Sequence, residues 1–261
     1  MALATATALV ACQPQGSNLR LEHQGDTLTI VHITNPSKYL ILPIQESCGE
    51  AKVKLDTGSP ADVAMDVRLA KDSVEYYVPF TLPQGVKEAT IKISRMASDA
   101  ICWDSIRLSD TFDTTNTDYY RPVYHHTPLY GWMNDANGLV YKDGEYHLYF
   151  QYNPYGSKWG NMHWGHSVSR DLIHWEHLAP AIARDTLGQI FSGSSVVDKN
   201  NSAGYGKDAL IAFYTSASDE HGQIQCMAYS TDNGRTYTKY EKNPIPVSYT
   251  HLRAHETPEH L

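Results

Sequence analysis

Residues 127–247 repeat themselves. Leu148-Tyr149-Phe150 recurs as Ile211-Ala212-Phe213, 63 residues later. Ser169-Arg170-Asp171 recurs as Ser230-Thr231-Asp232, 61 later, and Trp175 is matched by Tyr237, 62 later. Each unit has room for roughly four strands. Strand-rich units at a fixed spacing are the signature of a β-propeller, where each blade buries its faces against its neighbours. Only about two units fit into this stretch, and a propeller closes with about four blades or more. The expectation is therefore the first two blades of a larger ring.

The local pattern agrees. Gly138 to Tyr141, then Lys142-Asp143-Gly144, then Glu145 to Tyr152 predicts a hairpin, because Asp-Gly supplies the positive φ of a tight turn. Period-two alternation puts Tyr146, Leu148, Phe150 and Tyr152 on one face of the second arm. Glu145, His147, Tyr149 and Gln151 fall on the other. Upstream, residues 18–110 read as a separate β-sandwich-like domain. Leu28 to Ile33, Val63 to Leu69, Val74 to Leu82 and Ala89 to Ile93 are its predicted strands, with a turn at Pro83-Gln84-Gly85. Residues 111–124 lack apolar periodicity and read as a linker. The whole chain is thus expected to be all-β.

Composition excludes some classes. The net charge is −8 with no basic run, which argues against a nucleic-acid partner. Eighteen tyrosines and five tryptophans suit a sheet core, and they also suit stacking on sugars. No stretch reaches the roughly 20 apolar residues of a membrane span. Met1 to Cys12 (MALATATALVAC) resembles a bacterial lipobox without the usual positive leader, so residues 1–17 are expected to be an export segment lipidated at Cys12. That lipid would be the one membrane attachment, on an extracytoplasmic surface or periplasmic lipoprotein. Cys12, Cys48, Cys102 and Cys226 match no zinc spacing, and buried free thiols are expected of the last three. The last 14 residues, SYTHLRAHETPEHL, break the pattern. A metal set from His251, His255 and His260 is the weaker reading there, and 248–261 is expected to be an artefactual tail without function.

The chemistry concentrates in Trp132-Met133-Asn134-Asp135-Ala136-Asn137-Gly138. A carboxylate flanked by amides and a tryptophan just before a strand can form a sugar-binding corner, with amides donating to hydroxyls and to the carboxylate. The same string can equally be only an Asn-Gly turn. From these residues alone both readings stand.

WMNDANG is similar to the WMNDPNG signature of glycoside hydrolase family 32, the invertases, inulinases and levanases; position 136 is Ala rather than Pro. Tyr149-Phe-Gln-Tyr-Asn-Pro154, Trp159-Gly-Asn-Met-His-Trp-Gly-His166, Asp171-Leu-Ile-His-Trp175 and Phe191-Ser-Gly-Ser194 resemble further family blocks, in the same order. The resemblance covers 124–246. More weakly, residues 18–110 resemble the extra N-terminal β domain that precedes such enzymes in Bacteroides-like gut bacteria.

The resemblance implies a five-bladed propeller and retaining hydrolysis of β-fructosidic bonds in levan, inulin or sucrose, without metal or organic cofactor. It implies Asp135 as nucleophile, and Asn134, Gln151, Trp159, Phe191 and Ser192 as lining of the fructose subsite. Two family blocks do not occur. One is Arg-Asp-Pro, whose Asp steadies the transition state; the other is Glu-Cys, whose Glu is the acid/base. Arg184-Asp185-Thr186 lacks the Pro and precedes the Phe-Ser-Gly-Ser block, so Asp185 is given no catalytic role. Chain order places the two blocks beyond Pro246, and this chain is expected to be an inactive fragment. The competing reading is a noncatalytic fructan-binding surface lipoprotein.

Overall fold

The computed structural model describes residues 18–115, 120–122 and 124–246. The lipidation reading at Cys12 and the readings of 248–261, with their three histidines, lie outside the described residues. The N-terminal part contains β1 (Leu19–Gln24), β2 (Leu28–Thr34), β3 (Tyr39–Ile44), β4 (Ala51–Leu55), β5 (Ala64–Val67), β6 (Tyr76–Thr81), β7 (Glu88–Ser94), the short α1 (Cys102–Ser105) and β8 (Arg107–Ser109). They form two antiparallel sheets, β1-β2-β7-β4-β5 and β6-β3-β8.

The two sheets share one core. Val31 and Ile33 of β2, Val53 of β4 and Ile91 and Ile93 of β7 meet Leu40, Leu42 and Ile44 of β3. Alternation makes this possible, since every second side chain of β2 and β7 points to the same side. Each fully buried aliphatic side chain contributes about 1.5–3 kcal/mol. β3 does not alternate. Its run from Leu40 to Ile44 is buried throughout: β6 and β8 flank its edges, and the other sheet packs on Leu40, Leu42 and Ile44. The predicted strand Val63 to Leu69 is shorter in the structure, ending at Val67. There the chain changes partner, and Leu69 bridges to Ile44 in the other sheet. Cys48, Cys102 and Cys226 are free thiols; the last two are buried and Cys48 is partly so.

The second part holds β9 (Trp132–Lys142), β10 (Glu145–Asn153), β11 (His163–Ser169), β12 (Trp175–Ile182), β13 (Gln189–Asp198), β14 (Ala209–Ser218), β15 (Gly222–Ser230) and β16 (Thr238–Lys239). They make two four-stranded antiparallel sheets, each in up-and-down chain order, as in propeller blades. The sequence repeat maps onto equivalent places. Leu148 to Phe150 and Ile211 to Phe213 lie on the second strands, β10 and β14. Ser169 and Ser230 end the third strands, and each donates its hydroxyl to the aspartate two residues on, at 3.1 and 2.7 Å. The hairpin prediction holds as well. Lys142 faces Glu145 across a two-residue turn, with Asp143 and Gly144 at φ 51° and 85°, the left-handed pair of a type I′ turn.

The sheets pack face to face through Tyr149, Trp164 and Ile182 of the first and Ala212, Tyr214, Cys226 and Ala228 of the second, with Ile190 between them. β10 is therefore buried on both sides. His147, Tyr149 and Gln151 face the second sheet, while Phe150 and Tyr152 are covered by His126 and Tyr130, which precede β9.

Candidate active site

Asp135 lies on β9 where the ladder with β10 slips. Ala136 pairs with Phe150 and Met133 with Tyr152, so Asn134 and Asp135 together oppose the single residue Gln151. This is a β-bulge, a device that turns side chains out of the regular alternation. The second sheet carries a counterpart. Ile190 pairs with Ser216 and Gly193 with Tyr214, leaving Phe191 and Ser192 to oppose Thr215. Both bulges sit on the first strand of their sheet. They bring the candidate residues to the same place.

Two contacts join the bulged strands, and a third braces the first bulge from within β9. Ser192 Oγ donates to Asp135 Oδ2 at 2.9 Å. Asn137 Nδ2 donates to the Asp135 carbonyl at 3.3 Å, and Asn137 Oδ1 accepts the Gly193 amide at 3.4 Å. Asn137 is buried, and the sequence reading did not single it out. Amide donation to the carboxylate was expected from the neighbouring asparagines. In the structure the Asn137 amide reaches the main-chain oxygen, and the carboxylate is met by a serine from the other sheet.

Close approach of β9 and β13 depends on glycine. A Cβ on Gly138 would come within 2.7 Å of Ser195 Oγ and 2.9 Å of both Trp164 and Tyr149, and Gly138 has φ 52°. Within the second sheet, a Cβ on Gly193 would meet the Phe213 carbonyl of β14 at 2.0 Å.

Asn134 and Asp135 are exposed, so the bulge opens to solvent. Gln151 is buried behind it, and its Nε2 has no hydrogen-bond partner. Phe191 is held by the Trp164 indole, which donates to its carbonyl at 3.0 Å. The Phe191 ring meets Trp159 edge to face at 6.0 Å, and Trp159 stays 53% exposed. Asp135, Ser192, Phe191 and Trp159 thus form one connected row, with Asn134 beside Asp135 and Gln151 opposite.

The layer beneath is neutral. Burial holds His166 down to about 3, helped by His147 beside it, and holds His163 down to about 4. Burial pushes the Tyr149 phenol up; Tyr149 stacks on His166 and shares a 2.8 Å hydrogen bond with Tyr237 of the second sheet. Asp185 sits elsewhere. It accepts Lys239 Nζ at 2.6 Å and the Leu187 amide at 2.9 Å, a structural arrangement. Among the described residues, no group of three His, Cys, Asp or Glu could hold a metal ion.

Comparison with known proteins gives the same region. The glycosyl hydrolases family 32 N-terminal domain matches residues 125–257, and a domain of unknown function (DUF4980) matches residues 25–124. The levanase of Bacillus subtilis (strain 168) is 56% identical over 141 residues, which is 52% of this chain and 21% of that protein. The extracellular exo-inulinase of Aspergillus awamori is 46% identical over 147 residues, 48% of this chain and 27% of that protein. Among solved structures, the fructofuranosidase from Schwanniomyces occidentalis complexed with fructose matches at 44% identity and TM-score 0.47, covering 51% of this chain and 28% of that one. The chain spans about a quarter of the length of the relatives it matches.

Proposed function

Because the chain belongs to glycosyl hydrolase family 32, we propose that the whole protein hydrolyses β-fructosidic bonds in levan, inulin or sucrose, with Asp135 as nucleophile. The observation that carries this reading is the pair of facing bulges. It leaves an exposed carboxylate oriented by Ser192, with amides and two aromatic rings around it. The names of the relatives, a levanase and an extracellular exo-inulinase, support the substrate class and export.

The reaction is a double displacement. An Asp135 oxygen attacks the anomeric carbon of the fructosyl unit while the bond to the leaving oxygen breaks. A carboxylic acid on the opposite side protonates that oxygen. The fructosyl ester on Asp135 is then attacked by water, which loses its proton to the same second carboxylate, and Asp135 is released with net retention. The second carboxylate belongs to the Glu-Cys block, which these 261 residues do not contain, so the chain by itself should not turn over.

Asn134 and Gln151 supply hydrogen bonds to ring hydroxyls. Gln151 is suited to this because its buried Nε2 lacks a partner, and an unpaired buried donor costs about 1–3 kcal/mol that a hydroxyl oxygen would recover. Phe191 and Trp159 offer apolar faces to the C–H side of the sugar. The same reading makes residues 18–110 a β-sandwich and the two four-stranded sheets the first of five blades. It also makes the protein exported, with Cys12 as lipid anchor; metabolic labelling with a fatty acid, lost in Cys12→Ser, checks that point.

The deciding experiment is Asp135→Asn in the full-length protein, with fructose release from inulin, levan and sucrose as readout. Turnover is expected to vanish while the thermal melt is kept. Wild-type turnover in that variant would remove Asp135 from the mechanism.

A further inference from the structure

We infer that the N-terminal part of the chain holds the substrate-facing loop that carries Trp159, with Glu46 as its positioning residue. This rests on the reading of Trp159 as lining of the fructosyl subsite. The loop runs from 154 to 160, between β10 and β11. From inside, Asn153 closes it: Nδ2 donates to the Lys158 carbonyl at 2.8 Å, and Oδ1 accepts the Tyr155 amide at 3.0 Å.

From outside, the grip comes from groups of the N-terminal part 75 to 112 residues away in sequence. Glu46 Oε1 accepts the Ser157 amide at 2.7 Å and also the Tyr76 hydroxyl. The Glu46 carbonyl accepts Lys158 Nζ at 2.8 Å. Just past the loop, Asn161 pairs with the β5 backbone in both directions. Its Nδ2 donates to the Asp66 carbonyl at 2.7 Å, and its Oδ1 accepts the Asp66 amide at 2.8 Å. Arg184 Nη1 donates to the same Oδ1 at 2.9 Å and lies 3.6 Å from Asp66 Oδ2. Tyr155 packs on Phe80 of β6, with ring centroids 5.6 Å apart.

Trp159 sits between these anchors at Ser157, Lys158 and Asn161. Its own side chain is more than half exposed and meets one ring, Phe191. An exposed aromatic with one neighbour takes its position from its backbone. That backbone is tied to Glu46 at the Ser157 amide, two residues before Trp159, and the Asn161 side chain is tied to Asp66 two residues after. The domain of unknown function is on this geometry a structural part of the sugar subsite, and the contact is made by a charge-assisted hydrogen bond, the stronger kind.

The test uses the full-length enzyme and four variants: Glu46→Ala, Glu46→Gln, Tyr76→Phe and Trp159→Ala. Readouts are kcat and KM on inulin and sucrose, and hydrogen exchange of amides 155–161. Glu46→Ala is expected to raise KM about tenfold with kcat nearly kept, and to speed exchange of the loop amides. Glu46→Gln, whose carbonyl oxygen can still accept the Ser157 amide, restores KM. Tyr76→Phe, which loses one donor but leaves the Ser157 bond, gives a smaller rise and serves if Glu46→Ala fails to fold. A raised KM in Trp159→Ala beside unchanged KM in Glu46→Ala and Tyr76→Phe overturns the inference and leaves the subsite reading standing. An unchanged KM in Trp159→Ala removes Trp159 from the subsite and the inference with it, without touching the Asp135 assignment.

Discussion

Ser192 donates its hydroxyl hydrogen to the Asp135 carboxylate across the seam between two sheets, at 2.9 Å. The two residues are 57 apart in sequence, and each lies on a bulge of a first strand. A hydrogen bond to a charged group is worth about 1.5–3 kcal/mol, equivalent to roughly a tenfold to hundredfold change in rate when it orients a nucleophile. On the proposed role of Asp135, Ser192→Ala in the full-length protein is therefore expected to lower kcat/KM for the β-fructoside substrate by that factor, and Ser192→Thr to retain most of it. Equal kcat/KM in wild type and Ser192→Ala would show that the seam does not orient the carboxylate.

Two glycines with similar backbone angles should respond differently to alanine. Gly138 and Gly144 have φ 52° and 85°, so a Cβ strains either by about 1–2 kcal/mol. Around Gly144 nothing lies within 4 Å, whereas at Gly138 the Cβ also runs into Ser195, Trp164 and Tyr149. Overpacking adds about 1–3 kcal/mol. Urea midpoints should accordingly fall further in Gly138→Ala than in Gly144→Ala. Equal shifts would mean that β9 and β13 can move apart at no cost.

The tight Asp-Gly hairpin, the four-strand units and the repeated Ser-x-Asp were legible because each is written in local spacing; that Ser-x-Asp closes a turn was not read. β1, β3 and β4 were not read. β3 is apolar and buried from Leu40 to Ile44, so period-two reading has nothing to count there. The six candidate residues were singled out only by resemblance to a family; the composition around Asp135 also fits a plain turn. What the sequence did not reveal is how they meet. A bulge depends on the register between two strands, and Asn137, Glu46 and Asp66 act on partners far along the chain. No local pattern encodes those distances.

Glu145 makes a further tie between the two sheets. Arg235 Nη2 lies 2.9 and 2.8 Å from its two carboxylate oxygens, and Asn233 Nδ2 donates at 3.0 Å. The Glu145 side chain is 12% exposed and that of Arg235 37%. Breaking a fully buried pair costs about 3–5 kcal/mol and an exposed one about 1 or less. This half-buried pair should fall between, about 2 kcal/mol for Glu145→Ala. A double-mutant cycle with Arg235→Ala, read by urea midpoints, measures it. Additive losses would mean that the pair does not couple the sheets.

Acid should weaken the protein from about pH 6.5 downward through its buried histidines. His163 and His166 are buried, at 3% and 1% exposure, and burial holds them down to about 4 and about 3. In the unfolded chain both titrate at the ordinary value near 6.5. Above that pH neither state binds the proton and the stability is fully present. Between about 6.5 and 4 the unfolded chain takes up protons that the native state refuses, so stability falls with pH by up to about 1.4 kcal/mol per unit for each histidine. Glu46, Asp198 and Asp232 are held below their usual range, so between pH 6.5 and 5 these carboxylates stay ionised in the native state. Urea midpoints at pH 7.5, 6.5, 5.5 and 5.0 should drop progressively below 6.5, and His166→Gln should reduce the slope by about one proton's worth. A wild-type profile that is flat down to pH 5 would mean that these imidazoles take up protons in the native state, against their burial, with His166 stacked on Tyr149.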